Sequence, residues 1–425
     1  MSTVVADDAL TRALEEQREG LLTCVHCGFC LPACPTYNRL ADEADSPRGR
    51  LHLMRAVVDG RLDPASDAFR THIDRCLGCR ACEPVCPSGV EYGSLLELAR
   101  DVGARHRPPS FLNRSLLRVF SSSFLRSLFF LGGRLLRASG LAALGARVLP
   151  RRGLLGSARL GLAMVASTRP WRGLAGEAGR DSIRPGHSGA PVPERRGRVA
   201  VLTGCVQEGL YDRVNTATVR VLEANGFEVV PVPGQTCCGA LHAHGGDLEG
   251  ARALARVNVE RFIATGVELV VVNAAGCGAA MKAYDHLLSH DDPERAKQGR
   301  ALAGRVRDVN ELLASVGPRP GAPVPCTVAV DHPCHLLHAQ GVRAAPLGVL
   351  AAVPGVEARV VADADECCGG AGIYGLTHPE LGGRIGGDKV AAVRAAGADV
   401  VATANPGCMM QIGAGLRLEG APEGV

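Results

Sequence analysis

The 425-residue sequence predicts an α plus α/β protein: a helical N-terminal domain, a basic helical connector, and a C-terminal parallel α/β domain made by duplication. Three observations predict this. Two matching four-cysteine runs flank a helical insert near the N-terminus. Residues 102–176 then carry thirteen Arg and no Asp or Glu. Beyond them a set of cysteine landmarks recurs at an offset of 129 to 131 residues, the mark of an internal repeat. The divisions that follow are 1–100, 101–197, 198–325 and 326–425.

Seventeen cysteines are far more than packing in a reduced protein needs. The opening "MSTVVADDALTRALEEQREG" is polar and acidic, without the apolar core of a secretory signal. The expected compartment is therefore the cytoplasm, where metal binding is a better reading than a disulfide framework. A net charge of +4 and an aromatic content of 4% give no stacking surface for nucleic acid.

The N-terminal runs read "CVHCGFCLPACP" and "CLGCRACEPVCP". Both are C-x2-C-x2-C-x3-C-P, the spacing that ligates [4Fe–4S] clusters in two-cluster ferredoxins. Three closely spaced thiolates wrap one cubane, and the fourth of each run goes to the other cluster. This assigns Cys24, Cys27, Cys30 and Cys86 to one cluster, and Cys76, Cys79, Cys82 and Cys34 to the second. A pair of zinc ribbons would need only two CxxC pairs each and leaves the four-cysteine runs unexplained. Between the runs, "SPRGRLHLMRAVVDG" reads as a helix from a Ser46-Pro47 start to Gly60, which favours a helical ferredoxin module. Arg48 and Arg50 are expected to cap and solvate that helix start, with contact to an anionic cluster as the less common alternative.

In the connector, Leu116, Phe120, Phe124, Leu128, Leu131 and Leu135 recur at spacings of three and four, as on an amphipathic helix. Arginines interrupt it too often for a membrane span. A basic amphipathic segment suits a peripheral site on an anionic membrane or a partner surface; a plain helical linker is the alternative. Residues 178–198 read as a flexible linker.

The repeat runs from "RVAVLTGC" and "TVAVDHPC" through two CCG triplets to Cys277 and Cys408. Each copy alternates strand and helix: Val199–Leu202 or Thr327–Val330, a helix, "FEVVPV" or "VEARVV", the CCG loop, a helix ending at Gly266 or Gly397, then "ELVVVN" or "DVVATA". Each cysteine then follows a strand's carboxyl end, where open α/β sheets build their sites. The metal-ligand candidates are Cys205, Cys237, Cys238 and Cys277 in one copy, and Cys334, Cys367, Cys368 and Cys408 in the other. Adjacent thiols such as Cys367 and Cys368, about 3.8 Å apart at Cα, are ill-suited to a disulfide. They can flank irons in an open, non-cubane cluster, with Gly239 and Gly369 allowing close backbone approach. Cys326 reads as a buried small hydrophobe. His242, His244, His332, His335, His338 and His378 are candidate ligands or proton carriers, although ordinary packing is the commoner role.

These motifs together resemble the glycolate oxidase iron–sulfur subunit family over essentially the whole chain. The resemblance rests on "CVHCGFCLPACPTY", "DSPRGR", "DRCLGCRACEPVCPSGVEY", "GCGAAMKAY", "HPCHLLHAQ", "CCGGAGIYGLTHPEL" and "TANPGC". It implies two [4Fe–4S] clusters, further clusters in the CCG repeats, and flavin-containing partner subunits that oxidise glycolate, and in some cases D-lactate. The expected terminal acceptor is the quinone pool or another electron acceptor, and the basic segment 102–176 is expected to hold the complex at the cytoplasmic face of the inner membrane or against its partner. The chain alone is not expected to oxidise the hydroxy acid, and it carries no GxGxxG fingerprint. Related patterns occur in heterodisulfide reductase, lactate-utilisation proteins and the anaerobic glycerol-3-phosphate dehydrogenase small subunit. Heterodisulfide reductase repeats close with CxxC, whereas Cys277 is followed by "GAA" and Cys408 by "MMQ". Clusters in both copies, in one copy, or zinc in place of a cluster all remain open on four thiols. Only 17 residues follow Cys408, short for a closing helix.

Overall fold

In the N-terminal quarter of the chain, apolar side chains at helical spacing bring short helices together around a single core. The computed structural model describes residues 14–150, 153–168 and 195–420. The chain divides into two compact units, 1–118 with 240–251, and 119–239 with 252–425. In the first unit, helices Arg18–Leu22, Pro35–Leu40, Pro47–Val58, Asp67–Asp74 and Tyr92–His106 surround a core of Leu21, Leu51, Met54, Phe69, Ile73, Leu95 and Leu96. The helix Pro47–Val58 starts as its sequence dictates: Ser46 caps it by accepting from Gly49 N at 3.0 Å, and Pro47 takes the first position. The segment 240–251 docks on Tyr92–His106, where Asp101 accepts from Leu248 N at 3.1 Å and Arg100 donates to His244 O at 3.2 Å.

The second unit carries the duplicated sheets. Strands β1 (Gly197–Val201), β2 (Phe227–Val230), β3 (Leu269–Val272) and β4 (Val306–Asp308) form a parallel sheet in the order β2-β1-β3-β4. Strands β5 (Cys326–Asp331), β6 (Val356–Val360) and β7 (Val400–Thr403) form a second parallel sheet in the order β6-β5-β7. In register, Val199 pairs Val229 and Leu269, and Val328 pairs Ala358 and Val400, so the three matched strands of each copy share one topology. Helices Asp212–Ala224 and Leu248–Ala264 stop just before Gly226 and Gly266, and Pro379–Ala395 stops before Gly397. The closing helix is Pro406–Leu418.

Four expectations need correction. The connector is not one helix but four: Phe111–Ser121, Ser123–Ala138, Leu141–Val148 and Gly153–Ser167. The first break falls where the Ser122 side chain caps a new start by accepting from Leu125 N, and the second at Gly140, whose φ is +77°. The linker read over 178–198 lies outside the described residues up to 194, and its last two residues belong to β1. Strand β4 has no counterpart in the periodic pattern, because three residues are too few to show alternation. Cys326 is half-buried rather than buried, because it opens a strand at the sheet's amino edge.

Candidate metal centres

The two N-terminal cysteine runs fold into loops of the same backbone shape. Two and four residues after the first thiol the chain turns left-handed: His26 and Gly28 in one run, Gly78 and Arg80 in the other. A left-handed non-glycine residue costs roughly 1–2 kcal/mol, and each loop holds one. The curl aims peptide groups at sulfur, as where Gly78 N donates to Cys76 Sγ at 3.4 Å.

One concavity is lined by Cys24, Cys27, Cys30 and Cys86, with Cys82 at its wall. A second is lined by Cys34, Cys76, Cys79 and Cys82. The first set is open, with Cys27 exposed and its companions half-buried; the second is buried throughout. Burial pushes the Cys82 thiol well up, helped by the Cys79 and Cys76 thiols beside it, and burial also raises Cys30. Thiols crowded in this way hold negative charge only when a cation sits among them. A cubane of ferric and ferrous iron supplies that cation, so the residues fit the group the spacing implies.

Around the buried set lies a polar shell. Arg50 is fully buried, not solvated at the helix start as its sequence position suggested. Its Nε donates to His72 O at 2.7 Å, its Nη1 and Nη2 to Thr36 Oγ1 at 3.2 Å, and its Nη2 to Asp45 Oδ1 at 3.2 Å. Nη1 stands 4.0 Å from Cys34 Sγ. Burial works against the charge on Arg50, but the surrounding Cys76, Tyr92, Cys34 and Asp45 groups outweigh it and raise the pKa. Asp45 is fully buried and also meets Arg75 at 3.0 Å and His72 Nδ1 at 3.1 Å. The Tyr92 hydroxyl points at Cys76 Sγ from 3.6 Å. Arg48 behaves differently: it is partly exposed and grips Glu43 with two hydrogen bonds, at 2.6 and 3.2 Å.

In the second unit each repeat brings its four thiols together, each on the segment that follows a strand's carboxyl end. Cys205 and Cys237 are 3.4 Å apart at sulfur, and Cys238 touches both Cys237 and Cys277. In the other copy Cys334 touches Cys367, Cys367 touches Cys368, and Cys368 lies 3.2 Å from Cys408. The order of contacts is therefore the same in both copies. Contact with Cys237 raises the Cys205 thiol, and contact with Cys368 raises Cys408, each reinforced by burial. Four thiols in mutual contact, all buried except the half-buried Cys277, cannot all ionise against one another, so these sets too suit a cationic occupant.

The backbone makes the adjacent thiols possible through Gly239 and Gly369, at φ +88° and +78°. A Cβ on Gly369 would lie 2.7 Å from Gly382 O and 3.0 Å from Gly386 N, so this loop rests directly on the helix Pro379–Ala395. The two copies also meet near their sites. Ala275 N donates to Ala404 O at 2.9 Å, Gly276 N to Asn405 Oδ1 at 3.1 Å, and Gln340 Nε2 to Ala275 O at 2.9 Å.

Their surroundings differ. Behind the first pair, Asn258 is fully buried: it accepts from Thr236 N at 2.8 Å and donates to Cys237 O at 3.0 Å. Tyr284 donates to Cys238 O at 2.8 Å. Behind the second lies a buried ion pair, Lys389 to Asp331, at 3.0 Å. Lys389 also donates to Asp363 O at 2.7 Å, and Thr403 Oγ1 to Asp331 at 3.0 Å. Burial pushes Asp331 up to about 6 although Lys389 pulls the other way. Of the histidines, His335 Nδ1 lies 3.6 Å from Cys334 Sγ. His244 pairs with Glu97 at 3.2 Å, His338 bonds Asp365 O at 2.9 Å, and His378 stacks on Tyr374 with ring centres 4.4 Å apart. His242 is fully buried, and His332 is buried with its pKa lowered, chiefly by that burial.

The comparisons agree with this geometry. Residues 20–90 match the family described as 4Fe-4S dicluster domain, and 199–282 and 328–413 each match the Cysteine-rich domain. A probable glycolate oxidase iron-sulfur subunit of Bacillus subtilis is 37% identical over 414 residues, covering 96% of this chain and 91% of that protein. The glycolate oxidase iron-sulfur subunit of Escherichia coli is 32% identical over 430 residues, covering 97% and 95%. The chain belongs to the glycolate oxidase iron–sulfur subunit family. A shorter relative, a lactate utilization protein of an Exiguobacterium species, is 30% identical over 226 residues, covering 53% of this chain and 92% of that protein. The chain is thus an iron–sulfur electron-transfer protein with a helical dicluster domain and a duplicated cysteine-rich α/β domain. Sequence reasoning named Arg50 but favoured a solvated helix start over contact with the thiols, and it missed Asp45, Asn258 and the Lys389–Asp331 pair. "DSPRGR" was one visible signal, and a strand ending in Asp331 three residues before Cys334 was another.

Proposed function

We propose that this chain is the electron-carrying subunit of a flavin-dependent 2-hydroxy-acid dehydrogenase acting on glycolate, with D-lactate as a second substrate. A partner flavoprotein oxidises the hydroxy acid to the 2-oxo acid, releasing two electrons and two protons. A quinone-type acceptor takes up the same number. The observation that carries this reading is the paired thiol geometry of the N-terminal unit, one set open to a partner and one buried. When bound, a [4Fe–4S] cluster exchanges single electrons, which suits a carrier between two-electron partners. Cys24, Cys27, Cys30 and Cys86 would hold one cluster, and Cys34, Cys76, Cys79 and Cys82 the other. Cys205, Cys237, Cys238 and Cys277, with Cys334, Cys367, Cys368 and Cys408, would hold further metal centres of non-cubane type. The chain's own residues fix the thiols, keep water from the buried sets, and supply the charges around them. Direct reduction of a disulfide at a CCG centre is disfavoured, because neither repeat has a fifth thiol.

The proposed location is the cytoplasmic face of the inner membrane. On the helix Ser123–Ala138 the arginines turn inward: Arg126 meets Glu208 at 3.4 Å, Arg134 donates to Gly209 O at 2.9 Å, and Arg137 to Thr168 Oγ1 at 2.8 Å. Phe124, Leu128, Leu131 and Leu135 are left at least half exposed along one stripe, with Leu141, Leu144 and Val148 exposed on the next helix. Among the described residues no single helix is long and apolar enough to span a bilayer, although Ser123–Ala138 and Leu141–Val148 together are, bent by 75° at their break; the contact proposed is peripheral. Co-purification tests the main reading: the chain should bring down a flavoprotein and support glycolate-dependent quinone reduction only with it. Turnover of glycolate by the chain alone would contradict it. Leu128→Glu with Leu131→Glu and Leu135→Glu should abolish flotation with anionic vesicles; unchanged flotation would sink the membrane contact.

A further inference from the structure

At the open thiol set Arg48 lines the concavity and donates to His26 O at 3.1 Å; the fully buried Arg50 of the other set has no equally buried counterpart there among the described residues. A guanidinium stays protonated under all conditions a protein tolerates. Fully buried, its field acts at low effective dielectric and without salt screening. It stands 4.0 Å from Cys34 Sγ and shares Thr36 Oγ1 with that sulfur, the hydroxyl being 3.2 Å from Cys34 Sγ. Asp45 does not cancel it. That one carboxylate serves Arg50 and Arg75 together and also meets His72, so the two guanidinium groups and Asp45 sum to one positive charge. At the open set the nearest arginine, Arg48, is paired two-to-two with Glu43 and partly exposed, so its charge is neutralised and screened.

Adding an electron to a thiolate-bound cluster makes it more negative, so a fixed positive charge beside it raises the reduction potential. Hydrogen bonds to the sulfurs act in the same sense. The Tyr92 hydroxyl and Gly78 N, both directed at Cys76 Sγ, add to the effect. We propose that Arg50 sets the potential of the cluster held by Cys34, Cys76, Cys79 and Cys82, lifting it above the value its burial alone would give, and that Asp45 trims this lift. Arg50 is a positioning and tuning residue, since it acts through the thiolates. The inference rests on the iron–sulfur reading of these two sets.

The test is a redox titration of the anaerobic full-length chain followed by EPR, with the open-set signal identified by its loss in Cys27→Ser. Arg50→Gln should move the buried-set potential negative by about tenfold in the electron-sharing constant, about 59 mV for one electron, with the open set unmoved. Arg50→Lys should restore part of the shift. Arg75→Gln, on a side chain 39% exposed, should move the same cluster in the same direction by less, and Asp45→Asn should move it positive. Equal movement of both clusters, no movement in Arg50→Gln, or a negative shift in Asp45→Asn would overturn the proposal. If Arg50→Gln cannot retain its cluster, an unmoved potential in Arg75→Gln overturns it. Absence of any cluster signal in the unaltered chain would overturn the iron–sulfur reading along with it.

Discussion

The two cysteine-rich repeats hold the same four thiols in the same order of contact, yet one is backed by neutral groups and the other by a charged pair. Asn258 and Tyr284 brace the first CCG loop through its carbonyls, while Lys389 and Asp331 stand behind the second. Asn258 and Lys389 occupy matching places on helices Leu248–Ala264 and Pro379–Ala395, ten residues in from each start. Duplication fixed what binding demands, the thiols and the left-handed glycine. The second layer was free to diverge, and that layer controls charge and hydrogen bonding around a centre.

Substitutions at matched places should expose this difference. The largest effect is expected for Lys389→Met, which strands Asp331 in the interior at a cost of about 3–5 kcal/mol. Adding Asp331→Leu should recover most of it, as read from anaerobic denaturant unfolding. Gly369→Ala should follow. The left-handed backbone alone costs about 1–2 kcal/mol, and the new methyl must also displace the Gly382 carbonyl. Gly239→Ala, at φ +88°, should show the backbone cost. Equal losses at the two glycines would show that the second loop's seat on its helix does not matter. Asn258→Ala should cost about 1–3 kcal/mol through the unpaired Thr236 N and Cys237 O.

The last effect shows only across a pH range and concerns β4, which has no partner strand in the second sheet among the described residues. Burial raises Asp308, at its end, from 3.8 to about 6. A carboxyl whose folded pKa is raised takes up protons on folding. Its contribution is therefore present below about pH 4 and lost as pH rises to about 6, a change on the order of 3 kcal/mol. Asp308→Asn keeps the helix cap and should flatten that part of the stability profile. An unchanged slope between pH 4 and 6 would assign it to other groups.

Much of this was legible in the sequence because spacing is geometry. C-x2-C-x2-C-x3-C-P dictates which thiols can reach one cubane, and a cysteine after each β-branched run must lie at a sheet's carboxyl edge. The repeat offset pointed to two copies of one parallel α/β unit, but not to β4. What stayed hidden depends on partners distant in the chain. Arg50 looks like a solvated helix-start arginine until Thr36, Asp45 and His72 O close around it. The arginines of Ser123–Ala138 looked like a membrane-facing basic stripe, but Glu208, Gly209 and Thr168 draw them inward and leave the apolar stripe outside. Periodicity identifies two faces of a helix; it does not say which one the rest of the fold will take.

The most direct test of the account is metal and sulfide analysis of the anaerobically purified chain, with EPR of the reduced protein. The account predicts iron and acid-labile sulfide in similar amounts, at least about eight of each per chain, and two interacting cluster signals. Cys27→Ser and Cys79→Ser should each remove a different one. Zinc without sulfide, or loss of the same signal in both variants, would contradict it.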